Sequence, residues 1–329
     1  MKLAVDAMGG DNAPDEIVKG AVEAVKKFPC QIVLVGDEDK IKNVLKDESD
    51  LNNLPLTIKH TTEIISMREH PADAVRNKKD SSIVVATEMV KDGECDAVLS
   101  AGSTGAAVAA AQLILKRVHG IGRPAIATPI PTSTGATLLL DSGANVDSKP
   151  EHLVQTAMMG AIYSEFVLGK KNPAVGLLNI GEEETKGNEQ AKETYQLLKN
   201  LSSINFVGNA EGRDIPSGKF DVVVCDGFVG NAILKFGEGL AKMIFNLIKE
   251  ELIHSDSNMN VEEFLTAPTL KNLVKRLDVS EYGGAPLLGV NGYCIISHGS
   301  SKAKSICSAI GVAVEYVRSE FLERIKNTI

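Results

Sequence analysis

The chain has 329 residues, 43% of them hydrophobic and only 4% aromatic, enough apolar material for one large α/β unit or two smaller ones. A formal net charge of −8 with no long Lys/Arg block excludes a nucleic-acid footprint. No apolar run reaches the ~18–20 residues of a membrane span, and the five scattered cysteines form no C-x-x-C pair, so reduced thiols are expected.

The chain enters a strand at once, without the layout of a signal peptide, and a cytosolic protein is expected. Short apolar, largely β-branched runs at 3–5, 31–35, 56–59, 97–99, 125–130, 138–140, 175–180, 204–207 and 222–225 read as strands. Helical patterns lie between many of them. The clearest covers 14–28, where Asn12 is placed to cap, Pro14 suits the first turn, and Asp15 and Glu16 favour the dipole. Ile17, Val18, Ala21, Ala24, Val25 and Phe28 then share one face. Continuous apolar strands alternating with helices imply a mainly parallel twisted sheet with helices on both faces. With no linker and no internal repeat, residues 1–329 read as a single α/β unit.

Ligands gather at the carboxyl ends of such strands. Here those ends carry Gly/Asp/Asn turns at Asp6 to Pro14, Asp141 to Asn145, Asn179 to Glu189 and Asp226 to Asn231, which predicts a shared polar cleft along one sheet edge. The most informative turn is Gly102-Ser103-Thr104-Gly105, between a strand and an apolar helix over 106–118. Glycines admit close approach, and a helix start points free N–H groups outward, so phosphate is the expected ligand. The turn lacks the lysine of a Walker A loop and the spacing of a dinucleotide fingerprint.

Other positions carry two readings each. Asp6 and Asp11 flank Gly9-Gly10; they orient backbone amides and begin a cap network in preference to holding a metal. Asn231, after Asp226, is either an N-cap or an amide beside the cleft. Lys186, in an acidic Gly-bounded loop, is either solvated or an oxyanion ligand. The segment from His70 through Arg76, Lys78, Lys79, Ser81 and Ser82 is either a solvated loop or a source of positive charge for the same phosphate. His298 opens a second Gly/Ser turn before a helix. Histidine spacing fits no zinc site, and no G-x-S-x-G elbow exists. Two amphipathic helices at about 240–277 include Phe245, Ile248, Leu252, Phe264 and Leu265; core packing or a dimer contact is the sober reading, a membrane or partner contact the sharper one.

These residues together resemble the phosphate acyltransferase (PlsX) family. The resemblance runs from first strand to last helix through Asp6-Ala-Met-Gly-Gly-Asp-Asn-Ala-Pro14, Ser100-Ala-Gly-Ser-Thr-Gly-Ala106, Leu140-Asp-Ser-Gly-Ala-Asn145, Thr185-Lys-Gly-Asn-Glu189 and Asp226-Gly-Phe-Val-Gly-Asn231. It continues through Glu281-Tyr-Gly-Gly-Ala-Pro-Leu-Leu-Gly289 and Ser297-His-Gly-Ser-Ser301. The resemblance implies acyl transfer from acyl-[acyl carrier protein] to inorganic phosphate, giving acyl phosphate for phospholipid synthesis. It also implies a homodimer, a fold like that of isocitrate dehydrogenase and phosphotransacetylase, and peripheral membrane attachment in the cytoplasm. No cofactor is expected. Phosphate is expected at Gly102, Ser103, Thr104 and Gly105, with Lys186 and Asn231 as catalytic candidates and Asp6, Asp11, Asp226 and His298 supporting the cleft. An acidic carrier docking on an acidic enzyme needs a local basic patch, either Lys116, Arg117 and Arg123 or Lys271, Lys275 and Arg276. The alternative is a phosphotransacetylase-type enzyme using an acyl-coenzyme A thioester.

Overall fold

Strands form where Val, Ile and Leu run unbroken, because such segments gain most when both sheet faces are covered. The computed structural model describes residues 1–46, 48, 53–133, 135–254 and 283–328. Its strands are β1 (Lys2–Asp6), β2 (Gln31–Gly36), β3 (Leu56–His60), β4 (Ala97–Ser100), β5 (Ala125–Thr132), β6 (Gly135–Leu140), β7 (Ala174–Leu178), β8 (Asn205–Ala210), β9 (Val222–Val224), β10 (Ala285–Leu288) and β11 (Tyr293–Ile296). The helices are α1 (Asp15–Lys27), α2 (Glu38–Leu45), α3 (Pro71–Asn77), α4 (Ser82–Lys91), α5 (Thr104–Ala110), α6 (Pro150–Phe166), α7 (Glu189–Lys199), α8 (Gly227–His254), α9 (Ala303–Arg318) and α10 (Phe321–Thr328).

All these strands join one sheet in the order β3-β2-β1-β4-β11-β10-β5-β6-β9-β7-β8. Neighbours from β3 to β11 are parallel, as are those from β6 to β8. Between the two halves, β10 is antiparallel to β11 and β5, and β5 is antiparallel to β6. The mainly parallel, helix-covered sheet expected from the sequence is therefore present. Three antiparallel steps nevertheless reverse direction, so the carboxyl ends of β1, β4 and β11 face opposite to those of β6, β7 and β9. The polar turns therefore follow strands of opposite direction in the two halves of the sheet, where one direction was expected. The sequence reading also missed β10 and β11, four residues each beside Gly284, Gly289 and Gly292, too short to show a period.

One face of the sheet is a continuous core: Leu3, Val5, Leu99, Leu138 and Leu140 pack with Ile17 and Ala21 of α1, Leu153 of α6 and Ile310 of α9. The other face is split. Ala4, Val98 and Ile296 pack under α4 and α5, whereas Leu139, Val223 and Cys225 form a separate cluster with Ile215 and Phe220.

Three local expectations change. Asn12 does not cap α1; its amide donates to the carbonyls of Ser300 (3.2 Å) and Ser301 (3.4 Å), tying the β1 loop to the turn after β11. The predicted 106–118 helix passes at Ala110 into a π turn, Ala111–Leu115, and stops at Lys116 with φ 65°. There the Val118 amide is drawn to Gly289 O (3.0 Å) at the end of β10, a tertiary bond that competes with further helix. Helix α8 starts at Gly227, so Asn231 lies within it and is not its cap. Of the predicted helical pair, Phe245 and Ile248 lie on α8. The side chain of Leu252, and Phe264, Leu265, Lys271, Lys275 and Arg276, lie outside the described residues.

Candidate functional site

The β1, β4 and β11 loops meet at one end of the sheet. Asp6, wholly buried at the end of β1, accepts the Ser100 hydroxyl (2.6 Å), the Met8 amide (3.2 Å) and a hydrogen bond from Ser82. Ser100 Oγ in turn accepts the Gly102 amide at 3.0 Å. Burial pushes the Asp6 carboxyl up, against the hydrogen bonds that favour its charge. Gly9 has no room for a side chain: a Cβ there would strike Asp6 Oδ2 and lie 2.8 Å from the Gly102 amide nitrogen.

From this support α5 begins. Ser103 is its N-cap, its hydroxyl accepting the Ala106 amide (3.4 Å). Thr104 and Gly105, both exposed, sit in the first turn, where backbone amides have no intrahelical acceptor. A small recess of about 10 Å³ lies beside them, lined by Asp6, Ser82, Ser100, Gly102, Ser103 and Ala106. The third loop closes on the other side, with the Asp11 amide on Gly299 O at 2.8 Å and Lys302 Nζ on Asn12 Oδ1 at 3.1 Å. His298 Nδ1 accepts the Ser300 amide (3.2 Å). A backbone N–H can only donate, so the neutral imidazole carries its proton on the exposed Nε2. The 70–82 segment contributes Ser82 to Asp6, while Lys78 pairs with Glu69 (2.8 Å) and His70 Nδ1 lies 3.1 Å from the Asp73 carboxylate.

A second cluster lies at the carboxyl ends of β6 and β9. Asp141 is buried and gathers the amides of Ile126 (3.0 Å), Gly143 (3.1 Å), Ala144 (2.9 Å) and Asn145 (2.9 Å), together with Asn145 Nδ2 (2.8 Å). Burial raises its carboxyl as it does that of Asp6. Asp226 holds the amides of Ser148 (2.8 Å) and Phe228 (2.9 Å). Helix α8 then presses on the first loop: Gly230 faces the Asp141 carbonyl so closely that a Cβ would collide with it. The exposed Asn231 side chain lies across Gly143.

The third cluster is the loop after β7. Lys186 is exposed on the rim of a cleft of about 430 Å³, with Ile180, Gly181, Glu182, Glu183 and Arg213 also lining it. Two asparagines hold this loop: Asn179 Nδ2 donates to Lys186 O (3.1 Å), and the buried Asn209 donates to Glu183 O (3.0 Å). Glu182 is paired with Lys219 (3.0 Å) and Glu211 with Arg213, whereas among the described residues no ion pair engages Lys186.

The structure thus brings Gly102 to Gly105 together with Asp6, Asp11 and His298, and separately Asp226 with Asn231. Among the described residues no hydrogen bond joins either Lys186 or Asn231 to the Gly102 turn. Sequence reasoning passed over Asn209, a polar residue inside a strand whose partner loop lies 26 residues away, and it gave Asp141 no role of its own. The five cysteines are all buried. Burial, and then Asp141, push the Cys225 thiol well up, which removes it as a nucleophile at neutral pH. Among the described residues no three His, Cys, Asp or Glu side chains gather into a metal site, and no helix is long and apolar enough to cross a membrane.

Residues 1–324 match the family model described as "Fatty acid synthesis protein". The chain is 56% identical to a phosphate acyltransferase of Desulfitobacterium hafniense (strain DSM 10664 / DCB-2), over 100% of this chain and 98% of that one. It is 54% identical to a phosphate acyltransferase of Heliobacterium modesticaldum, again over 100% and 98%. Among solved structures, a phosphotransacetylase from Streptococcus pyogenes aligns with TM-score 0.63 at 16% identity, covering 97% of this chain and 94% of that one. A branched-chain phosphotransacylase from Enterococcus faecalis V583 aligns with TM-score 0.56 at 14% identity, covering 96% and 99%. At that identity the structural likeness speaks for the fold alone.

Proposed function

The chain belongs to the phosphate acyltransferase family, and from that premise we propose how its loops divide the work of moving an acyl group onto inorganic phosphate. A phosphate oxygen forms a bond to the thioester carbonyl carbon, the carbon–sulfur bond breaks, and acyl phosphate and thiol leave. Phosphate is already substantially dianionic near neutral pH, so it needs positioning more than a strong base. Positioning supplies roughly 7–11 kcal/mol in well-oriented systems. The α5 N-terminus receives the phosphate: the exposed amides of Thr104 and Gly105 and the Thr104 hydroxyl donate, on a loop fixed by Ser100 and Asp6. That helix start, set on a buried carboxyl and open to a recess, is the observation that carries the reading.

Lys186 and Asn231 act on the other reactant. Lys186 offers a cation with no competing ion pair among the described residues, and Asn231 offers an amide on the first turns of α8. Both suit the developing oxyanion, where one donor is worth about 3–4 kcal/mol. Asp11, Asp226 and His298 shape the surrounding loops.

The acyl donor is the thioester of acyl carrier protein, and the product feeds phospholipid synthesis. The enzyme works as a homodimer in the cytoplasm with peripheral membrane contact. In support, α8 exposes Phe236 (70%), Met243 (51%) and Leu247 (50%) on one side together with Leu240 and Ile244, an apolar face that favours being covered, while Phe245 and Ile248 are exposed further round the helix. Thiol release, measured with and without phosphate and with carrier-protein and coenzyme A donors, tests the donor and the acceptor together. Release that ignores phosphate would end this reading, and preference for coenzyme A would favour the phosphotransacetylase-type alternative.

A further inference from the structure

We propose that the exposed cations Lys116, Arg117, Arg123 and Lys149 form one docking surface for the carboxylate-rich face of the protein that carries the thioester. The inference rests on the carrier-protein reading above and adds the place of contact. These residues come from three segments: the stop of α5, the loop before β5, and the N-cap of α6. Tertiary contacts bring the segments together. Arg117 donates to Gly122 O and bridges to Val290, and the Gly122 amide donates to Gln155 of α6 (2.8 Å). His152 lies within this group, its Nδ1 accepting the Lys149 amide (3.2 Å). Burial first, then Arg123, Lys149 and Arg117 hold its pKa below the ordinary value, with Glu151 opposing, so the positive field is felt there.

Two features favour docking over a merely solvated face. Among the described residues no ion pair engages these four, in contrast to Lys26, Lys42, Lys78, Lys199 and Lys219. Leaving four like charges unpaired on a chain of net charge −8 concentrates attraction for an acidic partner at one place. The patch also adjoins the second cluster. Arg123 precedes Pro124, whose carbonyl accepts Asn145 Nδ2 at 2.6 Å, and Lys149 follows Ser148, whose amide is held by Asp226. A carrier seated there delivers its acyl arm toward the loops that hold Asn231.

The test compares the wild type, Arg123→Glu/Lys149→Glu, and Lys19→Glu/Lys59→Glu, which makes the same change in net charge on other elements. Each is assayed with acyl carrier protein, acyl-coenzyme A and acyl-pantetheine as donors, and carrier binding is titrated directly. The expected result is a KM for the carrier-linked donor raised about tenfold or more in Arg123→Glu/Lys149→Glu only, with kcat kept and the salt dependence of binding flattened. KM values for the two small donors stay as in the wild type. Unchanged carrier binding, or an equal loss with the small donors or in the control variant, overturns the surface. If the wild type releases no thiol from the carrier-linked donor, the donor assignment falls instead, and the binding titration still decides the surface.

Discussion

The Ser100 hydroxyl donates to Asp6 Oδ2 over 2.6 Å while accepting the Gly102 amide at 3.0 Å, so a buried carboxyl on β1 sets the backbone of the turn after β4. The phosphate turn therefore depends on a strand other than the one that leads into it. Register places the two residues side by side, since Asp6 pairs with Ser100 across the parallel ladder.

Ser100→Ala leaves the Gly102 amide without its acceptor and takes one of its donors from Asp6. The expected cost is roughly 1–3 kcal/mol of stability, with a higher KM for phosphate. Gly9→Ala forces a methyl against Asp6 and the Gly102 nitrogen, and overpacking of this kind costs about 1–3 kcal/mol. Urea unfolding and phosphate titration of both variants check this; a wild-type KM for phosphate in either would show that the turn does not bind it.

Lys186→Ala and Asn231→Ala are expected to lower kcat roughly 100- to 1,000-fold each, the range seen on removing one oxyanion donor. Both side chains are exposed, so thermal stability should stay near that of the wild type. Full turnover in either variant removes that residue from the chemistry.

Asp6 and Asp141 supply a pH signature. A carboxyl whose pKa is raised by folding binds its proton more tightly in the folded chain than in the unfolded one. Its contribution to stability is thus fullest below the ordinary value of 3.8 and is lost as pH rises through the folded-state value. Relative to Asp6→Asn, the wild type should lose stability on going from about pH 4 toward neutrality. Urea midpoints measured across that range for both proteins give the difference, and parallel curves would refute it.

His152 reports on the cation cluster. Arg123→Glu removes the largest charge effect named after burial and adds an anion, so the His152 pKa should move up from its depressed position. Titration of its imidazole by NMR reads this directly. A value unmoved by the substitution would mean that Arg123 does not reach the ring.

Much of the fold is legible along the chain because its signals are local. The amphipathic stripe from Ile17 to Ala24 predicts α1, and uninterrupted runs such as 31–35 and 138–140 predict buried strands, as found. What failed were features decided by distant partners. Asn12 is a good cap by type, yet its amide is taken by Ser300 and Ser301, nearly the whole chain away. Helix α5 loses its last predicted turns to a bond with Gly289. The candidate site divides in the same way: the Gly102 turn and the Lys186 loop announce themselves by glycine and charge, whereas Asn209 holds a loop 26 residues away and Asp141 adds the distant Ile126 amide to the amides of its own turn.

By itself, the sequence determined the class of fold, the helix start that suits phosphate and the side chains able to act on a thioester, because periodicity, capping and residue chemistry are properties of short stretches. Only the tertiary structure decided which of these stand together. Strand direction is fixed by hydrogen-bonded neighbours, and the antiparallel pairs of β10 and β5 reverse the direction of the strands that carry half of the polar loops. The same pairing gathers Arg117, Arg123 and Lys149 beside the loops of Asn145 and Asp226, a proximity that spacing along the chain does not express.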